Sequence, residues 1–263
     1  MALADFDLTG RRVLVTGAGR GIGKGIALVM AEAGADVAVT SFGQANADQV
    51  ASEIRALGRR GFGWAADGTR VEAMQGIADD VLAQLGGLDI LVNCVGDSIR
   101  GAVAAAPGST QPAMGEADWH RIVDVNLTQA YVGCHVFGPT LLAQGSGCAI
   151  NISGIAAIRA SANTAAYAAS KAGLTRYTEV LAQEWAPHHV RVNAIAPGQF
   201  PDPEQMTPEE YAERERAGSA SVPLRRLGSF RDLGLLAVYL ASDASNYITG
   251  QTIVVDGGRS ITQ

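Results

Sequence analysis

The stretch Arg12-Val13-Leu14-Val15-Thr16-Gly17-Ala18-Gly19-Arg20-Gly21-Ile22-Gly23 decides the fold class. Arg12 to Thr16 is a short β-branched, apolar run that reads as a buried strand. A glycine-rich turn follows, and from Lys24 to Ala33 the apolar residues recur at helical spacing. A strand, a turn and a helix N-terminus in that order aim backbone N–H groups and the positive end of a helix dipole at one point, which suits a diphosphate. Glycine is needed there because a Cβ would keep the backbone away from the phosphates. The candidate contacts are Gly17, Gly19, Arg20, Gly21, Ile22 and Gly23, spaced as Thr-Gly-x-x-x-Gly-x-Gly through Gly17, Gly21 and Gly23. The plain alternative is a tight strand-to-helix turn that binds nothing.

Outward from this unit the same rhythm repeats. Strand candidates run over 13–16, 37–40, 62–65, 90–93, 149–153, 190–195 and 252–255, and helical patterns over 22–33, 46–57, 71–86, 116–143, 166–185 and 230–242. Alternation of this kind predicts an α/β fold, a Rossmann-like doubly wound parallel sheet of about seven strands with helices on both faces. No composition break or internal repeat divides the 263 residues, so one dinucleotide-binding and catalytic domain over 1–263 is expected. Two irregular segments interrupt the rhythm. Residues 97–115 are rich in Ala, Gly and Pro, and residues 199–228 carry Pro201, Pro203 and Pro208 with a charged helical stretch from Glu209 to Arg216. Both follow strand C-termini, where ligands bind in open α/β sheets. The second reads as a substrate lid; the first reads as a further pocket wall or as a subunit contact. Phe200, Met206, Tyr211 and Val222 would make the pocket partly apolar.

A net charge of −6 argues against a dedicated nucleic-acid or anionic-membrane binder. No apolar run is long enough to span a bilayer and no signal peptide is visible, so a cytoplasmic protein is expected. Cys94, Cys134 and Cys148 lack metal spacing and read as reduced packing residues.

Further along stands Tyr167-Ala168-Ala169-Ser170-Lys171. Four residues are about one helical turn, so the phenol and the amine share a face. A phenol is inert at neutral pH, and a neighbouring ammonium is expected to lower its pKa and make Tyr167 a usable proton donor or acceptor. Such a pair also occurs on solvated helices without function.

Taken in order, the glycine turn, Asp67, Asn93-Cys94-Val95-Gly96, Asn126, the Tyr167/Lys171 pair and Pro197-Gly198 closely resemble the short-chain dehydrogenase/reductase family, over nearly the whole chain. The resemblance implies an NAD(P)(H)-dependent oxidoreductase interconverting a carbonyl and a secondary alcohol. Tyr167 would be the acid/base, Lys171 would bond the nicotinamide ribose, and Asn126 would hold a water in a proton relay. Asp67 would bond the adenine amino group. Asn93 and Gly96 would steady the sheet and line the adenosine side, and Pro197, Gly198 and the backbone of Phe200 would face the nicotinamide. A threonine usually found a little later is absent, with Asp202 near its position. The second strand ends Thr40-Ser41-Phe42 with no acid, and the hydroxyls of Thr40 and Ser41 together with Arg20 favour NADP(H) over NAD(H). The helices near 116–143 and 166–185 would join a homo-oligomer, a dimer or homotetramer.

One member of the pattern is missing. The serine normally found thirteen residues before the tyrosine falls on Gly154. Ser153, Ser161, Thr164 or a substrate group could supply the donor instead, although strand alternation would point Ser153 elsewhere. Two alternatives stay open: reduction of an imine or activated alkene, where that donor matters less, and a nucleotide-sensing binding protein with weakened catalysis.

Overall fold

A computed structural model describes residues 3–108 and 113–262. Seven strands follow one another as β1 (Arg12–Thr16), β2 (Asp36–Ser41), β3 (Gly61–Ala65), β4 (Ile90–Asn93), β5 (Gly147–Ile152), β6 (Val190–Pro197) and β7 (Thr252–Val255). Among the described residues eight α-helices lie between them: α1 (Gly21–Glu32), α2 (Gln44–Ala56), α3 (Val71–Leu85), α4 (Glu116–Val123), α5 (Gln129–Gln144), α6 (Ala165–Trp185), α7 (Pro208–Ser219) and α8 (Phe230–Ala241). All strand pairs are parallel, in the order β3-β2-β1-β4-β5-β6-β7. The doubly wound expectation holds, with strand limits shifted by at most about two residues.

Strands β1, β2, β4, β5 and β6 each feed two cores, because side chains alternate across the sheet. Val13, Val15, Val37, Val39, Ile90 and Val92 face α1, α2 and α8 through Ile26, Met30, Ile54 and Leu233. Leu14, Ala38, Leu91, Ala149 and Val192 face α3, α5 and α6 through Met74, Leu85, Phe137 and Trp185. Burial on both faces is why these strands read as continuous apolar runs.

The strand order reverses at β1. The chain leaves β1 for β2 and β3 on one side, then returns to β4 on the other. Crossovers diverge there, which opens a crevice beyond the C-terminal ends of β1 and β4. The glycine turn after β1 and the Cys94–Gly96 turn after β4 flank it.

The expected long helix over 116–143 is present as a continuous helical run from Glu116 to Gln144 that widens once. Between α4 and α5, residues Asp124–Thr128 form one wide π-type turn. Such turns cluster at functional sites, and this one carries Asn126.

Candidate active site

A cleft of about 1380 Å³ occupies the crevice. At one end the turn after β1 is built for close approach. Gly17 and Gly21 hold φ of +66° and +60°, a left-handed backbone that a side chain would strain. A Cβ on Gly23 would lie 2.6 Å from the Gly17 carbonyl oxygen, and one on Gly19 only 2.2 Å from Ser41 Oγ. α1 begins with no side-chain cap and no acid in its first turn. Its N-terminal N–H groups and the positive end of its dipole therefore face a cleft that carries no internal counter-charge from that turn. This donor set fits a diphosphate, and Ile22 lines the same stretch.

Ser41, Phe42 and Asn46 form the next part of the lining, and Phe42 is 87% exposed. Thr40 is a correction: it is 1% exposed and absent from the lining. Alternation puts it with Ala38 on the sheet face that carries α3, and leaves Ser41 on the α1 face beside Gly19. Asp67 lines the cleft, and its Oδ1 accepts from the Thr69 N–H at 2.9 Å and the Thr69 hydroxyl at 2.6 Å, closing the turn after β3. For Asn93 the correction concerns the cleft lining alone, and its part in steadying the sheet stands. Asn93 is fully buried beneath the sheet, donating Nδ2 to Asn151 Oδ1 at 2.9 Å, while Asn151 donates to Thr178 Oγ1 at 2.9 Å. It steadies β4, β5 and α6 and does not reach the cleft.

At the other end Gly96, Asn126, Tyr167 and Lys171 converge. A Cβ on Gly96 would lie 3.3 Å from Asn126 Oδ1 and 3.6 Å from Lys171 Nζ. Asn126 is buried, and its amide donates to the carbonyls of Asp97 at 2.7 Å and Ile122 at 2.9 Å. The bond to Ile122 ties the side chain one turn back along α4. Among the described residues, Asn126 Oδ1 has no hydrogen-bond partner.

Lys171 is 3% exposed and donates Nζ to the Ile152 carbonyl at 2.8 Å. Burial pulls its amine from about 10.5 down to about 8. Nζ sits 5.7 Å from the centre of the Tyr167 ring. The expected lowering of the phenol is not met: burial pushes the Tyr167 pKa up. The ammonium is directed at a carbonyl, and desolvation alone shifts the phenol. Tyr167 at neutral pH is thus a protonated donor.

Gly154 faces that phenol, with its Cβ position 3.1 Å from the Tyr167 hydroxyl oxygen. Ser153 does not stand in, because its hydroxyl donates to the Lys171 carbonyl at 3.1 Å and meets Thr175 Oγ1 at 3.2 Å. Thr164 donates to the Ser161 carbonyl at 2.7 Å, and neither residue lines the cleft.

Pro197, Gly198 and Phe200 line the cleft as expected, but Met206, Tyr211 and Val222 do not. Val222 is buried against Gly257 instead. The front of the 199–228 segment rests on α1. Lys24 Nζ donates to Glu204 Oε1 at 2.7 Å and pairs with Glu53 at 3.0 Å, while Arg20 donates to Gln205 Oε1 at 3.2 Å. From the 97–115 segment only Asp97 and Ser98 reach the lining; residues 109–112 lie outside the described residues. The sequence pattern does not reveal Ala117, His120 and Arg121 of α4, nor Phe230 of α8, which also line the cleft. Arg121 donates to Asp97 at 3.0 Å. The three cysteines are free, and burial raises their thiols to about 12 (Cys94, Cys134) and about 11 (Cys148), so none is a ready nucleophile. Among the described residues no helix is long and apolar enough to cross a membrane, and no group of metal-ligating side chains occurs.

The profile of a family described as enoyl-(acyl carrier protein) reductase matches residues 17–260. A 2-dehydro-3-deoxy-D-gluconate 5-dehydrogenase of Pseudoalteromonas atlantica is 37% identical over 257 residues, covering 97% of this chain and 98% of the relative. Among solved structures, a gluconate 5-dehydrogenase from Burkholderia cenocepacia J2315 in complex with NADP and tartrate superposes with a TM-score of 0.89, at 31% identity over 100% of both chains. A 7α-hydroxysteroid dehydrogenase complexed with NADH and 7-oxo glycochenodeoxycholic acid gives 0.86 at 32% identity, over 97% of this chain and 96% of that one.

Proposed function

The chain belongs to the short-chain dehydrogenase/reductase family, and on that premise we propose that it is an NADP(H)-dependent oxidoreductase interconverting a carbonyl and a secondary alcohol within one domain. The observation that carries this reading is the meeting of Tyr167, Lys171 and Asn126 at one end of a cleft whose other end is the glycine turn of α1.

A bound nicotinamide dinucleotide supplies the hydride in reduction and takes it in oxidation. Gly17, Gly19, Gly21, Ile22 and Gly23 hold its diphosphate, Asp67 its adenine, and Gly96, Pro197, Gly198 and Phe200 its nicotinamide end. Tyr167, kept protonated by burial, donates its proton to the substrate oxygen. Lys171, with an amine near 8, exchanges protons close to neutrality and restores the phenol. Asn126 Oδ1 accepts from the water that connects Lys171 to solvent. Asp97 and Ser98, the front of the 199–228 segment through Phe200, Asp202 and Gln205, and α4 border the substrate.

NADP(H) is favoured because β2 ends without an acid while Arg20 and Ser41 border the cleft. Arg20→Ala is expected to raise the Kd for NADP by roughly tenfold or more, since a charge-assisted hydrogen bond is worth about 1.5–3 kcal/mol. NAD should be nearly unaffected. Fluorescence titration of both reduced dinucleotides checks this, and equal losses would remove the phosphate role of Arg20. The same reading makes the protein a homo-oligomer, dimer or tetramer, joined through α5 and α6; exposed Tyr131 and Val180 on those helices support it.

The direct test is purified protein with NADPH and a panel of ketones and aldehydes, followed at the absorbance of the reduced nicotinamide. Turnover is the expected result. Tight NADPH binding with no turnover of any carbonyl would overturn the reading. A second reading, imine or activated-alkene reduction, draws on Gly154, because those substrates develop less charge on oxygen; including a cyclic imine and an enone in the panel separates the two.

A further inference from the structure

The wall opposite the Tyr167 hydroxyl is Gly154, whose Cβ position lies 3.1 Å from the phenol oxygen and 3.8 Å from Lys171 Cγ. Its φ of 176° is extended backbone that any residue adopts, so no conformational demand calls for glycine here. The neighbouring side chains are committed elsewhere. Ser153 is held by the Lys171 carbonyl and Thr175, and both N–H groups of Asn126 are given to main-chain carbonyls. Among the described residues, no side-chain hydroxyl or amide beside Gly154 is left free to donate to a developing alkoxide next to Tyr167. The wall offers room instead.

Removing one of two donors to an oxyanion costs on the order of 10²–10³ in rate. A hydroxyl on the carbon next to the reacting carbonyl sits within hydrogen-bonding reach of that oxygen by its covalent geometry. Such a donor arrives already oriented, with little freedom left to lose. We propose that the substrate completes this site: it is an α-hydroxy carbonyl compound, or a vicinal diol in the oxidative direction, whose own hydroxyl lies in the space beside Gly154 and donates to the reacting oxygen. The inference rests on the carbonyl-reductase reading above. In reduction the carbonyl carbon gains a hydride from the reduced dinucleotide, and its oxygen gains the Tyr167 proton. The adjacent hydroxyl keeps its own proton, solvent restores the phenol through Lys171, and a vicinal diol leaves with the oxidised dinucleotide.

Three ketones of nearly equal size isolate the effect. Hydroxyacetone has the donor, methoxyacetone has the same electron-withdrawing oxygen without it, and 2-butanone has neither. With NADPH, wild-type kcat/KM for hydroxyacetone is expected to exceed that of both others by about 10²-fold. Gly154→Ser should raise methoxyacetone and butanone turnover by roughly 10–100-fold and narrow the preference, whereas Gly154→Ala should not. An activity-independent readout follows from the same contact: by ultraviolet titration of the phenol, assigned against Tyr167→Phe, Tyr167 should ionise at lower pH in Gly154→Ser than in Gly154→Ala. Equal turnover of the three ketones by the wild type overturns the proposal and leaves the oxidoreductase reading standing. A preference unchanged in a folded Gly154→Ser also overturns it. Turnover of none, with NADPH bound by fluorescence, overturns both. The wild-type comparison alone decides if the serine variant does not fold.

Discussion

Tyr167→Phe should lower kcat for carbonyl reduction by roughly 10²–10⁴, the range that a positioned general acid contributes, while the Kd for NADPH changes by no more than a few fold. The split follows from where the phenol stands. It reaches the cleft at the substrate end, against Gly154, and among the described residues no hydrogen bond reaches its hydroxyl. Removing one oxygen therefore strands no partner, and the ring keeps its place beside Lys171. Folding should be little affected, with a Tm equal to that of the wild type or slightly higher. Burial raises the phenol above its usual value near 10, so reduction should not lose its Tyr167 proton donor as pH rises from 7 to 9. Initial rates, dinucleotide fluorescence and thermal melts on the two proteins check these points. Full activity in the phenylalanine variant would remove Tyr167 from the chemistry.

Lys171→Met is expected to cost at least about 10² in kcat and to change how stability depends on pH. The sign is fixed by linkage. Native Lys171 titrates near 8 and an unfolded lysine near 10.5, so between those values the unfolded chain carries a proton that the folded one has lost. Wherever the unfolded state binds more protons, stability rises with pH. Below pH 8 both states are protonated and the folded protein bears the full penalty of a buried ammonium; above 10.5 the penalty is gone. Relative to Lys171→Met, the wild type should thus gain roughly 2–3 kcal/mol between pH 7 and pH 10. Whatever the lost bond to the Ile152 carbonyl costs, it enters at both pH values and leaves this difference standing. Urea unfolding of both proteins at the two pH values measures it, and parallel pH profiles would show that Lys171 is not held neutral by burial.

Much of the fold was legible because burial on both faces of a parallel sheet writes each strand as a β-branched run, and glycine punctuates the turns. The widened turn after α4 was not. A 3.6-residue period cannot register one extra residue when Ile122, Asn126 and Ala130 all face inward at four-residue steps. In the site, motif residues in glycine turns and on α6 fell where their spacing put them. Thr40 and Asn93 did not, since a strand's last residues point to alternate faces and the sequence does not say which face meets the cleft. The lining by His120 and Arg121, and the Lys24–Glu204 contact across 180 residues of chain, depend on how helices pack above the sheet. Neither has a local signature. Met206 and Tyr211 read as pocket residues only because they are apolar or aromatic in a loop that follows a strand.

Asn126 also has a polarity. With both amide hydrogens given to the carbonyls of Asp97 and Ile122, a rotation that exchanged its nitrogen and oxygen would set oxygen against oxygen twice. Toward the cleft this side chain is locked as an acceptor, and any neighbour there must bring the hydrogen. An aspartate, equal in shape, would be repelled by the same two carbonyls. The direction in which a chain of hydrogen bonds can run through this corner is thereby set by the main chain of α4 and the β4 loop, before any ligand arrives.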